Sequence, residues 1–326
     1  MNKELLDYQK RVIEILRRDY FPESESWTVI TQSVMKNNDT RLEGIVIMQP
    51  DKKVSPTFYV NGYYNDGFMP EATAQAICKD YMKAQSENID VMEELIRNIK
   101  CYDKMQDKIC FKLINTEMNK EFLKDVPHVR FNDELSLCFY IQLDPEATVT
   151  IHNQFIEIWN LEKSKVLEQL YAVANRNMTR LHPPVLDNMA NVLGYISEAD
   201  DIEELEMFKE MAESLFPMYV LTNDTKILGA STLAYSNGQM LEDCRQAIER
   251  RTNREVNSLI VIPSSIHEVI IMPADDVEDV LGLKEMILDV NRTQVQPHEI
   301  LSNNVFGYSK KDGFIQLTFD SKEICR

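Results

Sequence analysis

Two serines, a histidine and a glutamate (Ser264, Ser265, His267 and Glu268) fall within five residues of the stretch VIPSSIHEVIIMP, positions 261–273. A serine hydroxyl beside an imidazole is nucleophile-and-base chemistry. It would make the chain an uncharacterised hydrolase or small-ligand enzyme with a pocket around the Pro263–Glu268 turn. Two features weigh against that. Pro-Ser-Ser is turn composition, because serine hydroxyls bond nearby backbone groups. On a strand, the adjacent His267 and Glu268 point to opposite faces and cannot act as base and orienting acid. No GxSxG elbow is present. The stretch reads as a β-hairpin with a polar tip, and Ser264, Ser265 and His267 are the catalytic candidates to be placed.

Other chemistries have less support. Histidines 128, 152, 182, 267 and 298 form no HExxH pair, and the six cysteines are never closer than nine residues, so no metal site is expected. Neither GxxxxGK[ST] nor GxGxxG occurs, and glycines number only nine, so no nucleotide cofactor is expected. Asp275, Asp276, Glu278 and Asp279 lack the glycine turn of a calcium loop. They read instead as the acidic start of a helix, capped by Asp275 or Asp276. Asn175, Asn177 and Arg180 sit where a helix ends, and could share a polar pocket with Asn291 and Arg292.

Charge bounds the partners. The formal net charge is −18. Residues 197–214 carry eight acids against one lysine, and residues 274–289 carry six against one. Such a field repels phosphate backbones, so no nucleic-acid partner is expected. The compact basic cluster Arg250, Arg251 and Arg254 reads as cations at a helix C-terminus. The N-terminal MNKELLDYQKRVIEILRRDYF has no apolar signal core, and no segment approaches the ~18 apolar residues of a membrane span. A cytoplasmic chain with reduced thiols, off the membrane, is expected.

The elements that must position these residues follow from pattern. Residues 3–20 form an amphipathic helix. WTVITQSVM, RLEGIVIMQ and SPTFYVNGYY read as three strands, then a proline-opened helix begins at Pro70 and another covers about 88–103. KICFKLIN, ELSLCFYIQL and TVTIHNQFIEIW read as strands, and LEKSKVLEQLYAVANRN as a helix that must break at Pro183 and Pro184. Beyond an acidic helix near 200–214, MYVLTN and ILGASTLAY read as a strand pair, MLEDCRQAIERRT as a helix, and SLIVIP and IHEVIIMP as strands. DDVEDVLGLKEMILDVNRT follows as a helix, and VFGYSKKDGFIQLTF as a hairpin around Lys311-Asp312-Gly313. The fold class is α+β: mostly antiparallel small sheets in recurring strand-strand-helix units packed by helices. Two domains are expected, 1–105 and 106–326.

Five stretches in order carry a resemblance: VSPTFYVNGYYNDGF, NRNMTRLHPPVLDNMANVLG, MYVLTNDTKILGASTLAY, VIPSSIHEVIIMP and DVNRTQVQPHEILSNNVFGYS. Together they resemble an uncharacterised "domain of unknown function" family of gut and rumen Clostridia and related Firmicutes, from about residue 20 to 315. The resemblance implies a bacterial cytoplasmic protein and assigns no activity, cofactor or site residue.

The leading functional expectation is a non-catalytic binding or regulatory protein acting through protein–protein contacts. Its expected contact surfaces are the aromatic strand end at Tyr63 and Tyr64, and the acidic residues Asp200, Asp201, Glu203 and Glu204.

Overall fold

A computed structural model describes residues 3–49, 55–86, 98–144, 147–192 and 217–317. The chain divides into two compact units, Met1–Lys104 and Met105–Arg326. The expected acidic helix at 200–214, with Asp200, Asp201, Glu203 and Glu204, lies outside the described residues, as does most of the one expected over 88–103. Among the described residues no helix is long and apolar enough to cross a membrane.

In the first unit, helix α1 (Lys3–Ile15) runs on into a wider turn at Leu16–Tyr20. Three antiparallel strands follow, β1 (Thr28–Met35), β2 (Arg41–Met48) and β3 (Thr57–Tyr59), with β2 in the centre. The β1–β2 turn is built on Asn38 and Asp39, both left-handed, a conformation asparagine and aspartate tolerate. Helices α2 (Asn61–Asn65) and α3 (Pro70–Ser86) complete the unit. Val12 of α1, Leu16 of the turn after it, Ile45 and Ile47 of β2 and Ile77 and Tyr81 of α3 close its core. Buried Gln9 donates to the Gly44 carbonyl at 2.9 Å, fixing α1 on the sheet. The expected strand over 55–64 stops at Tyr59, and Tyr63 and Tyr64 sit on a helix.

The second unit holds two antiparallel sheets. After α4 (Tyr102–Met105), β4 (Ile109–Asn115), β5 (His128–Arg130), β6 (Leu135–Gln142) and β7 (Thr148–Thr150) form the first, with β4 on one edge of β6 and β5 and β7 on the other. Helices α5 (Asn153–Ile158) and α6 (Val166–Leu181) follow. The second sheet runs β13-β12-β10-β11-β9-β8. Its strands are β8 (Pro184–Asn188), β9 (Tyr219–Asn223), β10 (Ser258–Ile262), β11 (Val269–Pro273), β12 (Phe306–Ser309) and β13 (Gly313–Gln316), with helices α7 (Met189–Val192), α8 (Met240–Thr252) and α9 (Val280–Thr293) between them. Ile260, Ile262 and Met272 face α9 through Ile287. The opposite face carries Tyr219 and Tyr308, which meet Arg251 and Glu242 of α8. The sheet is therefore sandwiched between two helices. Gly313 closes the last hairpin at φ +71°.

Three further expectations are corrected. ILGASTLAY forms a buried 3₁₀ run, Gly229–Gly238, instead of a strand. A short apolar run cannot by periodicity be told from buried helix. In TVTIHNQFIEIW only Thr148–Thr150 is a strand, and the rest is α5, whose Ile156 is buried together with Trp159 at helical spacing. The cap of α9 is Asp279, whose Oδ1 accepts the Gly282 N–H at 2.8 Å, and neither Asp275 nor Asp276. Two strands, β5 and β8, were not anticipated; β8 begins at Pro184, on a sheet edge where the missing N–H is tolerated.

Candidate functional site

The Pro263–Glu268 segment joins β10 to β11, which pair as expected with Ile262 opposite Ile270. The tip does not stand in solvent. Pro263, Ser265 and Ile266 are buried beneath a strap, Glu299–Asn304. Ser265 bridges Ile300, the Ile266 N–H donates to Glu299 O at 2.9 Å, and the Leu301 N–H donates to Ser264 O at 2.9 Å. His267 and Glu268 lie in the loop before β11, so strand alternation does not separate them.

The side chains of Ser265 and His267 hold backbone, while Ser264 meets the strap through its carbonyl. Ser265 Oγ accepts the His267 N–H at 3.0 Å. His267 Nδ1 accepts the Leu228 N–H at 3.3 Å, which leaves the proton of the neutral ring on Nε2. Nε2 faces Glu299 Oε1 at 3.7 Å. The His267 carbonyl accepts from Thr222 Oγ1 at 2.8 Å. A Cβ on Gly229 would lie 2.4 Å from that carbonyl and 2.1 Å from Thr222 Oγ1, so only glycine allows this approach. Lys226 and Leu228 in the same loop are left-handed, a costly conformation for side chains of this kind. A nucleophilic serine needs the ring nitrogen; among the described residues no bond joins His267 to either hydroxyl.

Beyond Leu301 the strap meets the first sheet through side chains the sequence did not single out. Glu134 accepts from Asn115 Nδ2 at 2.9 Å, Ser302 Oγ at 2.7 Å and Asn304 Nδ2 at 2.9 Å. Buried Asn291 of α9 donates to Ser302 O and to Asn303 Oδ1, both at 2.9 Å. Between α9 and the strap runs a groove of about 530 Å³, lined by Glu285, Leu288, Asp289, Asn291, Arg292, Ile300 and Asn303. Asn177 and Arg180 lie elsewhere, bonding the backbone of residues 106–109, so the pocket suggested for them with Asn291 and Arg292 does not assemble.

Two buried clusters hold further titratable groups. Tyr140 O–H lies 3.3 Å from His182 Nε2, and Tyr235 donates to the His182 carbonyl at 2.9 Å. Burial pushes the neighbouring Cys110 thiol up to about 12 and keeps His182 below its ordinary value, so both stay neutral and the thiol is inert. On α8, Glu242 accepts two bonds from Arg245 and one each from Gln246 and Tyr308, which holds its carboxyl at about 2. The basic cluster is engaged as well: Arg251 donates to Leu186 O and Arg254 grips Asp276 with two nitrogens. In the first unit, Tyr64 packs edge-on to Tyr8 and donates to Glu4, while Tyr63 packs on Phe68. Both tyrosines are half-buried, beside exposed Phe68 and Met69.

The family of unknown function DUF5688 matches residues 6–310, nearly the full length of the chain. The chain belongs to this family. In this DUF5688 chain the matched span includes the whole of the seam made by the Pro263–Glu268 loop and the strap. No curated protein and no solved structure matches the DUF5688 chain. The signal that could have found the strap is SNN at 302–304, a run of short polar residues just before the last hairpin. Its partners Asn115 and Glu134 are more than 160 residues away and leave no local pattern.

Proposed function

We propose that the chain is a non-catalytic cytoplasmic binding protein, and that the groove along α9 receives a basic, apolar-anchored segment of a protein partner. One observation carries the reading. The groove sets Leu288, 44% exposed, and Ile300 beside the carboxylate of Glu285 and the Asp289–Arg292 ion pair. Apolar contact at such a groove supplies affinity, and acids on its rim select a cationic partner and speed encounter. The bonds by which Ser265 Oγ and His267 Nδ1 accept backbone N–H groups support a scaffolding role for the seam. The Tyr63–Tyr64 surface, beside exposed Phe68 and Met69, and the acids at Asp200, Asp201, Glu203 and Glu204 are proposed as secondary contacts, and neither nucleic acid nor membrane as a partner.

The test is fluorescence anisotropy with a labelled peptide alternating lysine and leucine, against its glutamate counterpart. The lysine peptide should bind, weaken with salt, and lose at least tenfold affinity on Leu288→Asp; the glutamate peptide should not bind. Equal binding by Leu288→Asp overturns the groove. Turnover of p-nitrophenyl esters that disappears in His267→Ala would favour the enzyme at the Pro263–Glu268 loop instead.

A further inference from the structure

Among the described residues strand β1 lies on the edge of its sheet, paired with β2. Which of its backbone groups face outward follows from the ladder. The Lys36 N–H donates to Thr40 O at 2.7 Å, one step beyond the Met35–Arg41 pair. Antiparallel rungs alternate, so Val34, Gln32, Ile30 and Thr28 bond to β2. Val29, Thr31, Ser33 and Met35 then turn their N–H and C=O groups away from it. Two contacts agree. Arg17 reaches the outward Val29 carbonyl at 2.6 Å, and on β2 it is Glu43, of the opposite parity, whose carbonyl faces Val60 next to β3.

Apart from Arg17 at its start, this edge carries none of the usual protections within the strand itself. TVITQSVM contains no charge, proline or glycine over eight residues. Ile30, Thr31, Gln32 and Ser33 are all exposed, Ile30 to 39%. Long, flat, uncharged edges are templates for another strand.

We propose that β1 pairs antiparallel with β1 of a second copy of this chain, across a twofold axis at Gln32. Two chains of net charge −18 repel, which disfavours contact through acidic surface, and β1 is uncharged. Only outward residues can form the new rungs, so Thr31 and Ser33 must pair among themselves or with Val29 and Met35. With Thr31 opposite Ser33 of the second copy, Ile30 falls opposite Val34 on both sides of the axis, Gln32 opposite Gln32, and hydroxyl opposite hydroxyl. Shifting the register to Thr31 opposite Thr31 sets Ile30 against Gln32. Shifting it to Ser33 opposite Ser33 sets Ile30 against Lys36. Thr31 opposite Val29 needs the carbonyl that Arg17 holds, and Ser33 opposite Met35 sets Gln32 against Lys36, so the central register matches the pairs from residue 30 to 34 best.

The experiment is sedimentation of the full chain over a concentration series, with Thr31→Pro beside it. The Thr31 N–H makes no bond to β2, so proline removes a donor on the open side only, as edge strands tolerate. The chain should be dimeric and Thr31→Pro should dissociate at least tenfold more readily with unchanged circular dichroism. A second readout avoids dependence on that variant. Gln32→Cys in a Cys101→Ser, Cys325→Ser background should form a disulfide dimer on mild oxidation, because non-hydrogen-bonded partners stand about 4.5 Å apart at Cα. Ile30→Cys, facing Val34, should not. A monomer at about 100 µM, a dimer indifferent to Thr31→Pro, or cross-linking at residue 30 in place of 32 would each overturn the proposal.

Discussion

The Glu242–Arg245 pair offers a stability test with its magnitude in the geometry. Glu242 is 7% exposed. Its Oε1 accepts from Arg245 Nη2 at 2.8 Å and Gln246 Nε2 at 2.9 Å; its Oε2 accepts from Arg245 Nε at 3.0 Å and Tyr308 O–H at 3.1 Å. The hydrogen bonds from Arg245 are the largest cause holding the carboxyl at about 2, against an ordinary 4.5. Because the folded value is depressed, the unfolded chain takes up the proton first. The stabilisation is full above pH 4.5 and is lost as pH falls toward 2. That interval corresponds to about 3 kcal/mol at neutral pH. Glu242→Gln keeps the shape and removes the charge, leaving Arg245 buried without its main counter-charge, so a loss of about 3 kcal/mol is expected at pH 7. The assay is urea unfolding followed by Trp159, the sole tryptophan of the second unit once Trp27→Phe silences the first. Unfolding free energies of parent and variant should converge as pH drops from 5 to 3. A gap that stays constant across that interval, or one below about 1 kcal/mol at pH 7, refutes the assignment of this pair as the clamp between α8 and β12.

Three further outcomes are expected. Burial keeps His182 neutral in the folded chain while the unfolded imidazole protonates near 6.5, so stability should fall as pH drops below 6.5, and His182→Gln should flatten that limb of the urea profile. Gly229→Ala places a methyl against Thr222 and the His267 carbonyl and should cost about 1–3 kcal/mol in thermal melts, whereas Gly62→Ala, with nothing within 4 Å, should be neutral or stabilising. Asp279→Ala should remove about 1 kcal/mol by uncapping α9, and Asp275→Ala should not; equal losses would return the cap to the expected position.

The sequence made legible whatever its local pattern could encode. β1 and β2 flank a polar turn, β10 and β11 are apolar runs parted by Pro-Ser-Ser, and α8 carries its charges at helical spacing. It misled where an apolar run had no period. Residues 227–235 look like a buried strand because every side chain from Ala230 to Tyr235 is buried, and a short buried helix presents the same composition. Aromatic content puts Tyr63 and Tyr64 at a strand end, yet they lie on α2, where Tyr64 packs edge-on against Tyr8 of α1, a tertiary contact of the kind that competes with propensity. The site was legible only at its centre. The VIPSSIHEV stretch drew notice for its residue types, but what those types do was decided by Leu228, Thr222 and Glu299, which it meets only once folded.

Pairing at β1 and binding at α9 together make a further outcome. A β1-paired dimer carries two grooves. A single open groove offers a partner little enclosure, so one segment binds with modest affinity. Two such segments on a long flexible linker engage the second groove intramolecularly, at an effective concentration that raises avidity by about 10²–10⁴ without any new contact. Thr31→Pro should therefore leave the affinity for a single lysine–leucine peptide unchanged and lower that for the linked pair to the single-site value. Leu288→Asp should weaken both equally. A loss of single-peptide binding in Thr31→Pro would mean that edge and groove are not independent, and a linked pair no tighter than the single peptide on the intact chain would mean that the two grooves are not held together.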